Sequence, residues 1–128
     1  MERRKQLAEY IAENLRTPFK WGENDCCLFV ARWLAKAGYD DMTAQGLGQY
    51  SGRFSARRRL KALGYTSIRQ LADSRLQPTL KPILGDIAYF DRADALGICV
   101  GSRYSYFVDD VVGGIVALKN ENLTFWSI

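Results

Sequence analysis

The sequence predicts an α+β fold in which helices come first and antiparallel strands follow. Apolar residues recur at helical spacing over about residues 1–76, and over about residues 83–128 they fall into short runs separated by turn residues. Parallel neighbours would need long crossover connections, so short turns predict an antiparallel sheet of about five strands. Helices followed by strands are typical of the α+β class. The length suits a single domain, residues 1–128, with one modest core.

The first helix is predicted over Arg3–Arg16. Leu7, Ile11 and Leu15 recur every four residues, which gives one apolar stripe between charged flanks. The helix must end before Pro18, because the residue that precedes a proline avoids the helical conformation. The other segments predicted before the strands, apart from the second helix, are a loop at Tyr39–Ser51, a third helix at Ser55–Leu63, a short helical turn at Ile68–Ala72 and a proline-containing joint at Gln77–Pro82.

The second helix is the centre of the predicted fold. It begins at Cys26 after an N-cap at Asn24 or Asp25, and Gly38 lies where a helix commonly stops. Nearly every residue between these ends is apolar, which predicts a helix that is buried on almost all sides. A thiol in the first helical turn lies near unpaired backbone N–H groups and the positive end of the helix dipole, and both favour the thiolate. Cys26 is therefore a candidate nucleophile, or else a small buried core residue.

Five strands are predicted in the second half, joined in chain order as a meander. Gly85–Asp86 is predicted to form the turn before the first strand, with Asp86 fixing that turn. The connections between the later strands are short, as hairpins require. The predicted strands are Ile87–Phe90, Leu96–Val100, Tyr104–Val108, Gly114–Leu118 and Leu123–Ile128.

Composition excludes several classes of function. The chain has three cysteines, no histidine and no C-x-x-C spacing, so neither a zinc site nor another metal or cofactor is expected, and the thiols are predicted to be reduced. No apolar run approaches the roughly 20 residues of a membrane span, and the basic N-terminus lacks the apolar segment of a Sec-type signal peptide. The net charge of +4 permits an acidic partner without requiring one.

Three blocks of the sequence resemble the NlpC-type cell-wall peptidases of the papain-like superfamily. F-K-W-G-E-N-D-C-C-L-F-V is similar to that family's aromatic–Gly…Asp-Cys-Ser-Gly segment, with Cys26 at the position of the nucleophile. G-D-I-A-Y-F resembles its Gly-Asp-(apolar)4 strand, and A-L-G-I-C-V-G resembles its His-(apolar)-Gly-Ile-(apolar)2-Gly strand. The resemblance implies a papain-like fold with N-terminal helices packed on a C-terminal sheet.

The chain departs from that family at the general base. Ala95 stands where the resemblance places the histidine, and no other histidine exists in the chain. In cysteine–histidine catalysis the imidazole removes the thiol proton and later protonates the leaving amine, which alanine cannot do. Loss of a triad member in other hydrolases costs on the order of 10⁴-fold or more in rate. We therefore expect impaired peptidase chemistry. The alternative is an active cysteine peptidase or amidase whose base is Asp94, Tyr104, Tyr106 or a residue of a partner chain.

A W-G-x-x-D-C segment is followed in this chain by a loop that contains tyrosine, a basic helix and a Gly-Asp strand. This order resembles a compact branch of NlpC-like proteins from phage and prophage genomes. Some proteins of this kind belong to the tail tip, where the cell wall is opened locally during infection. The resemblance thus implies a structural or binding component of the tail tip, with other tail proteins as partners and peptidoglycan as a further contact. It also implies a location in the virion, or in the host cytoplasm before assembly.

Several aromatic and acidic residues are candidates for binding. Trp21, Tyr50, Tyr104 and Tyr106 would suit a ligand cleft or a subunit contact, although aromatic residues are also ordinary in strands and cores. Asp25 beside the thiol is interpreted as a helix N-cap with a possible contact to ligand.

A basic run lies in the third predicted helix. Arg57, Arg58, Arg59 and Lys61 fall within five positions and could contact phosphate, nucleic acid or an acidic protein. A solvated helix face is the ordinary explanation for such a run, and the interleaved aromatics of a single-strand-binding surface are missing. Nucleic acid is therefore not the expected partner, and steeply salt-dependent binding would be needed to support it.

Overall fold

A computed structural model describes residues 2–128 as four α-helices and a six-stranded antiparallel sheet, so the predicted α+β class is confirmed. A 3-10 turn at Asp91–Ala93 joins the second and third strands. Within the described residues, no helix is both long enough and apolar enough to cross a membrane. The helices are α1 (Arg3–Asn14), α2 (Cys26–Lys36), α3 (Arg53–Ala62) and α4 (Ile68–Arg75), and the strands are β1 (Gln77–Thr79), β2 (Ile87–Phe90), β3 (Ala95–Cys99), β4 (Tyr104–Asp109), β5 (Gly114–Lys119) and β6 (Thr124–Ser127).

The strand order is β1-β6-β2-β3-β4-β5, which corrects the predicted meander at one end of the sheet. Strands β2 to β5 follow one another as predicted, but β6 pairs with β2 and not with β5. The predicted joint at Gln77–Pro82 contains β1, which pairs with β6 through Pro78 opposite Trp126. A proline is tolerated there because β1 is an edge strand. The sheet therefore has six strands where about five were expected.

Three helix predictions needed adjustment. The short helical turn predicted at Ile68–Ala72 is the start of α4, which continues to Arg75 after an N-cap at Ser67 whose side chain accepts a hydrogen bond from the Gln70 N–H. The first helix ends at Asn14, two residues before its predicted end. The third helix, predicted over Ser55–Leu63, is α3 and runs over Arg53–Ala62. All three differences lie at helix ends, where the sequence signal is weakest.

The core is built around α2, as the sequence predicted. Phe29 and Trp33 have no exposed surface and pack with Ile98 and Trp126 of the sheet. The Trp33 indole Nε1–H donates a hydrogen bond of 2.8 Å to the Gly85 carbonyl, which ties the helix to the turn before β2. Burial of these large side chains makes α2 the main hydrophobic element of the fold.

The other face of the sheet carries a second apolar cluster. It consists of Ala88, Cys99, Phe107 and Phe125, with Ala95 packed at its margin. Because side chains alternate along a strand, the residues of β3 divide between this cluster and the core under α2. Position 95 thus belongs to the face away from the core helices.

Candidate functional site

Asp25 organises the N-terminus of α2 and is 1% exposed. Its Oδ1 accepts a hydrogen bond from the Leu28 N–H at 3.0 Å, which makes it the N-cap. Its Oδ2 accepts from the Gly22 N–H at 2.9 Å and from the Tyr50 hydroxyl at 2.7 Å. One carboxylate therefore joins the helix, the preceding turn and the Tyr39–Ser51 loop.

The loop approaches this turn closely because Gly22 has no side chain. Gly22 has φ of +79°, and a Cβ built there would lie 2.2 Å from the Tyr50 carbonyl oxygen. Burial and the neighbouring Asp25 carboxylate raise the pKa of Tyr50 far above its ordinary value, so its hydroxyl stays protonated as a donor. Tyr50 is therefore a neighbour of the thiol site, where it holds the Asp25 carboxylate.

The pKa values of the adjacent Cys26 and Cys27 thiols are shifted in opposite directions. Hydrogen bonding from the Cys27 thiol lowers the pKa of Cys26, with a further contribution from the backbone N–H of Leu96, while burial and the carboxylates of Asp25 and Asp94 oppose it. Hydrogen bonding to Cys26 and burial raise the pKa of Cys27 well above its ordinary value. Of these two half-buried thiols, Cys26 is therefore the one that loses its proton more readily.

Alkylation by iodoacetamide should show this difference directly. We expect Cys26 to react before Cys27 and Cys99, with a pH midpoint below the value of about 8.5 for an ordinary cysteine. Cys27→Ala should move that midpoint upward, because it removes the donor that favours the Cys26 thiolate. The measurement is peptide mass spectrometry of the alkylated protein across a pH series. Cys99→Ala is the control and should leave the midpoint in place, and a Cys27→Ala profile identical to wild type would contradict the assignment.

The segment at the start of β3 faces the Cys26 sulfur. The Leu96 backbone N–H hydrogen bonds to Cys26 and lowers its pKa, whereas the Asp94 carboxylate raises that pKa through space, so Leu96 lies beside the thiol. The methyl group of Ala95 itself packs at the margin of the cluster on the second sheet face. Ala95 thus lies on the sheet face away from α2, and its methyl group can neither accept nor donate a proton.

Asp94 is the remaining carboxylate near the thiol. Its backbone is left-handed, with φ of 48°, and its Oδ1 accepts a hydrogen bond of 2.7 Å from the Tyr89 hydroxyl. Burial and this hydrogen bond raise the pKa of Tyr89, which keeps its proton on the phenol. One oxygen of Asp94 is thus occupied, and no hydrogen bond between the Asp94 carboxylate and Cys26 occurs among residues 2–128.

The predicted aromatic residues do not form one cleft. Tyr106 pairs with Ile98, and Tyr104 lies beyond the pair Cys99–Ser105, at the end of β3 and β4 remote from Ala95. Tyr104 is 42% exposed. Trp21 is half-buried and packs edge-on against Phe19, with ring centroids 5.0 Å apart. Tyr50 is the member of this set that contacts the thiol site.

The basic run of α3 is divided between two roles. Arg59 is half-buried, and its Nε donates a hydrogen bond of 2.9 Å to the Gly46 carbonyl, so it fixes the Tyr39–Ser51 loop. Arg57, Arg58 and Lys61 are exposed, and none makes a salt bridge with another residue in the range 2–128. They form an ordinary solvated helix face.

Metal-ligating side chains are not grouped in the part of the chain that the structure covers, residues 2–128. No three of its cysteine, aspartate or glutamate side chains are placed to hold a metal ion together.

Comparisons with known proteins define a family but not an activity. A search of curated proteins and a search of solved structures each found no match. The model of a family described as "Domain of unknown function (DUF6950)" matches residues 1–128. With a match across all of these residues, the chain belongs to the DUF6950 family.

Proposed function

We propose that this protein is a papain-like domain of the NlpC type in which hydrolysis at Cys26 is impaired, and that it acts through binding or assembly, in a phage or prophage tail tip. The observation that carries the proposal is a thiol at the N-terminus of the buried helix that has, among residues 2–128, neither a histidine nor a hydrogen-bonded carboxylate beside it. The sequence resemblance supports the NlpC and tail-tip parts of the proposal. The helices-then-strands architecture is consistent with it.

Amide hydrolysis needs a group that donates a proton to the leaving amine. Asp25 accepts hydrogen bonds at both carboxylate oxygens, so it serves the fold and not the thiol. Cys27 holds its proton with a raised pKa and is a poor acid near neutrality. Tyr50 is likewise held protonated while it donates to Asp25. An acyl transfer at Cys26 would therefore lack the acid that expels the amine.

The direct test is hydrolysis by the purified protein. We expect no product from peptidoglycan, from soluble muropeptides or from an activated ester beyond the rate of a Cys26→Ala variant. That variant is a suitable control because alanine is a good helix former at a first-turn position. Steady turnover that disappears in Cys26→Ala would overturn the proposal.

The binding role is tested separately. We expect the protein to be detected by mass spectrometry in purified phage particles produced by a host that carries its gene, or to sediment with intact peptidoglycan sacculi. A Cys26→Ala variant should sediment equally well, since binding does not require the thiolate. Absence from particles together with no sedimentation would contradict a tail-tip role.

An active hydrolase that uses Asp94 is the second candidate. The observation in its favour is that the Asp94 carboxylate, with only one oxygen in a described hydrogen bond, is near enough to Cys26 to raise its pKa. If this candidate is right, ester turnover should be present and should fall by orders of magnitude in Asp94→Asn. Asp91→Asn, which changes an exposed carboxylate of the same turn, is the matched control and should retain turnover.

A further inference from the structure

A pocket of about 490 Å³ with several charged side chains on its walls opens between α1 and α2. Its walls include Glu13 and Asn14 from α1, Asn24 from the connecting segment, and Arg32 and Lys36 from α2. None of the thiol-site residues described above contributes to its lining. The volume lies in the range that binds small organic molecules.

The pocket walls carry charges of both signs. Lys20 and Glu23 are paired in a salt bridge of 3.1 Å, whereas the other three charged residues are not paired within the described part of the chain. Glu13 projects from the α1 wall, and Arg32 and Lys36 lie one turn apart on the α2 wall. Among residues 2–128, none of these three side chains makes a salt bridge within 4.0 Å. Both Glu13 and Arg32 act on the pKa of Tyr10, Arg32 lowering it and Glu13 raising it, so both lie near the Tyr10 hydroxyl at the pocket wall.

The Arg32 guanidinium is fixed in place before any ligand arrives. Its Nη2 donates a hydrogen bond of 3.0 Å to the Asn24 Oδ1, and its Nη1 donates one of 2.6 Å to the Glu23 carbonyl. Asn24 is buried, and its Nδ2 donates to the carbonyls of Thr17 and Pro18. A guanidinium has five N–H donors, so this arrangement leaves donors of a positioned cation for a ligand.

Asn14 supplies an unpartnered acceptor. Its side chain is only 7% exposed, and its Nδ2 donates a hydrogen bond of 2.8 Å to the Tyr10 carbonyl. Its Oδ1 accepts no hydrogen bond from a residue in the range 2–128. Every fully buried side-chain nitrogen or oxygen in that range has a partner, so the Asn14 Oδ1 is not fully buried. The Asn14 oxygen is therefore open to the pocket that it lines.

We propose that this pocket binds a small zwitterion of the amino-acid or short-peptide class. The ligand carboxylate contacts Arg32 and Lys36, and its ammonium group contacts Glu13 and the Asn14 Oδ1. A zwitterion matches the pocket because it pairs both kinds of charge at once, whereas an anion alone would face the Glu13 carboxylate. The proposal is independent of the thiol site and of the tail-tip role.

Calorimetric titration with four probes tests the chemistry of the ligand. We expect the dipeptide alanylalanine to bind and its N-acetylated and C-amidated forms to bind about fivefold or more weakly, because each lacks one charge. Inorganic phosphate should bind more weakly than the dipeptide. Tighter binding of phosphate would overturn the zwitterion assignment in favour of an anion site, and no binding of any probe at about 10 mM would overturn the site itself.

Substitution of exposed pocket residues tests the proposal with little effect on the stability of the fold. Lys36→Gln and Glu13→Gln should each weaken dipeptide binding about fivefold, and Lys36→Gln should distinguish the dipeptide from its C-amidated form less strongly than wild type, because only Arg32 then contacts the carboxylate. Lys61→Gln and Glu9→Gln, which change exposed charges outside the pocket, are the matched controls and should bind as wild type. Cys26→Ala should also bind as wild type. Equal losses in the variants and in their controls would contradict the proposal.

Discussion

Trp33→Ala is expected to lower the free energy of unfolding by about 3–5 kcal/mol. Trp33 has no exposed surface and packs between α1 and the sheet, with its ring 5.8 Å from that of Tyr10. Removal leaves a large cavity in the core and the Gly85 carbonyl without its indole donor. Because domains of this size are stable by about 5–15 kcal/mol, the loss should be visible as a large shift of the urea midpoint.

Two controls separate packing from the hydrogen bond. Trp33→Phe keeps much of the apolar volume and loses the bond to Gly85, so its cost should be smaller than that of Trp33→Ala. Trp21→Ala removes the same side chain from a half-buried position and should cost clearly less. A Trp33→Ala midpoint within error of the Trp21→Ala midpoint would contradict the central place of α2 in the core.

Asp25→Ala is expected to cost about 3 kcal/mol in unfolding free energy, which is large for a single polar side chain. The N-cap bond to Leu28 contributes about 1 kcal/mol. The Gly22 N–H and the Tyr50 hydroxyl lose their acceptor, at about 1 kcal/mol or more each. The loop that Tyr50 fixes should also loosen, which hydrogen exchange at Gly48 to Ser51 would detect.

Matched variants identify the source of that loss. Asp25→Asn keeps an oxygen for the cap and should retain part of the stability. Tyr50→Phe removes one of the three bonds and should cost about 1 kcal/mol. Asp40→Ala, an exposed carboxylate in the same loop, should cost close to nothing. If Asp25→Ala and Asp40→Ala unfold at the same urea concentration, the three hydrogen bonds contribute no stability.

Local signals in the sequence were sufficient for the helices and for the hairpins. The apolar run of α2 predicted a buried helix, and the short turns after Phe90 predicted adjacent antiparallel strands. The place of β6 could not be predicted in this way, because its pairing with Ile87–Tyr89 joins segments more than 30 residues apart. The edge strand at Gln77–Thr79 was not predicted either. Its proline favours a loop when only the neighbouring residues are considered, and its partner β6 lies far along the chain.

The parts of the candidate site that lie within one segment of the chain were predicted from the sequence. The contacts between distant segments were not predicted. The N-cap role of Asp25 and the first-turn position of Cys26 follow from a few adjacent residues. The hydrogen bond from Tyr50 to Asp25 depends on how a loop 25 residues away folds back over Gly22. The pocket charges of Glu13 and Arg32 were likewise not predicted, because each looks like an ordinary surface residue on its own helix.

The interior position of β6 has a consequence for biosynthesis. During translation β1 and β2 leave the ribosome long before the strand that fits between them, so each has one side without its hydrogen-bonding neighbour while β3, β4 and β5 are made. Unsatisfied strand edges of this kind attract other chains. Nascent molecules that stall before Thr124 would therefore expose the unpaired edges of β1 and β2 to β-augmentation. Quality-control factors would then encounter the protein with these two edges exposed.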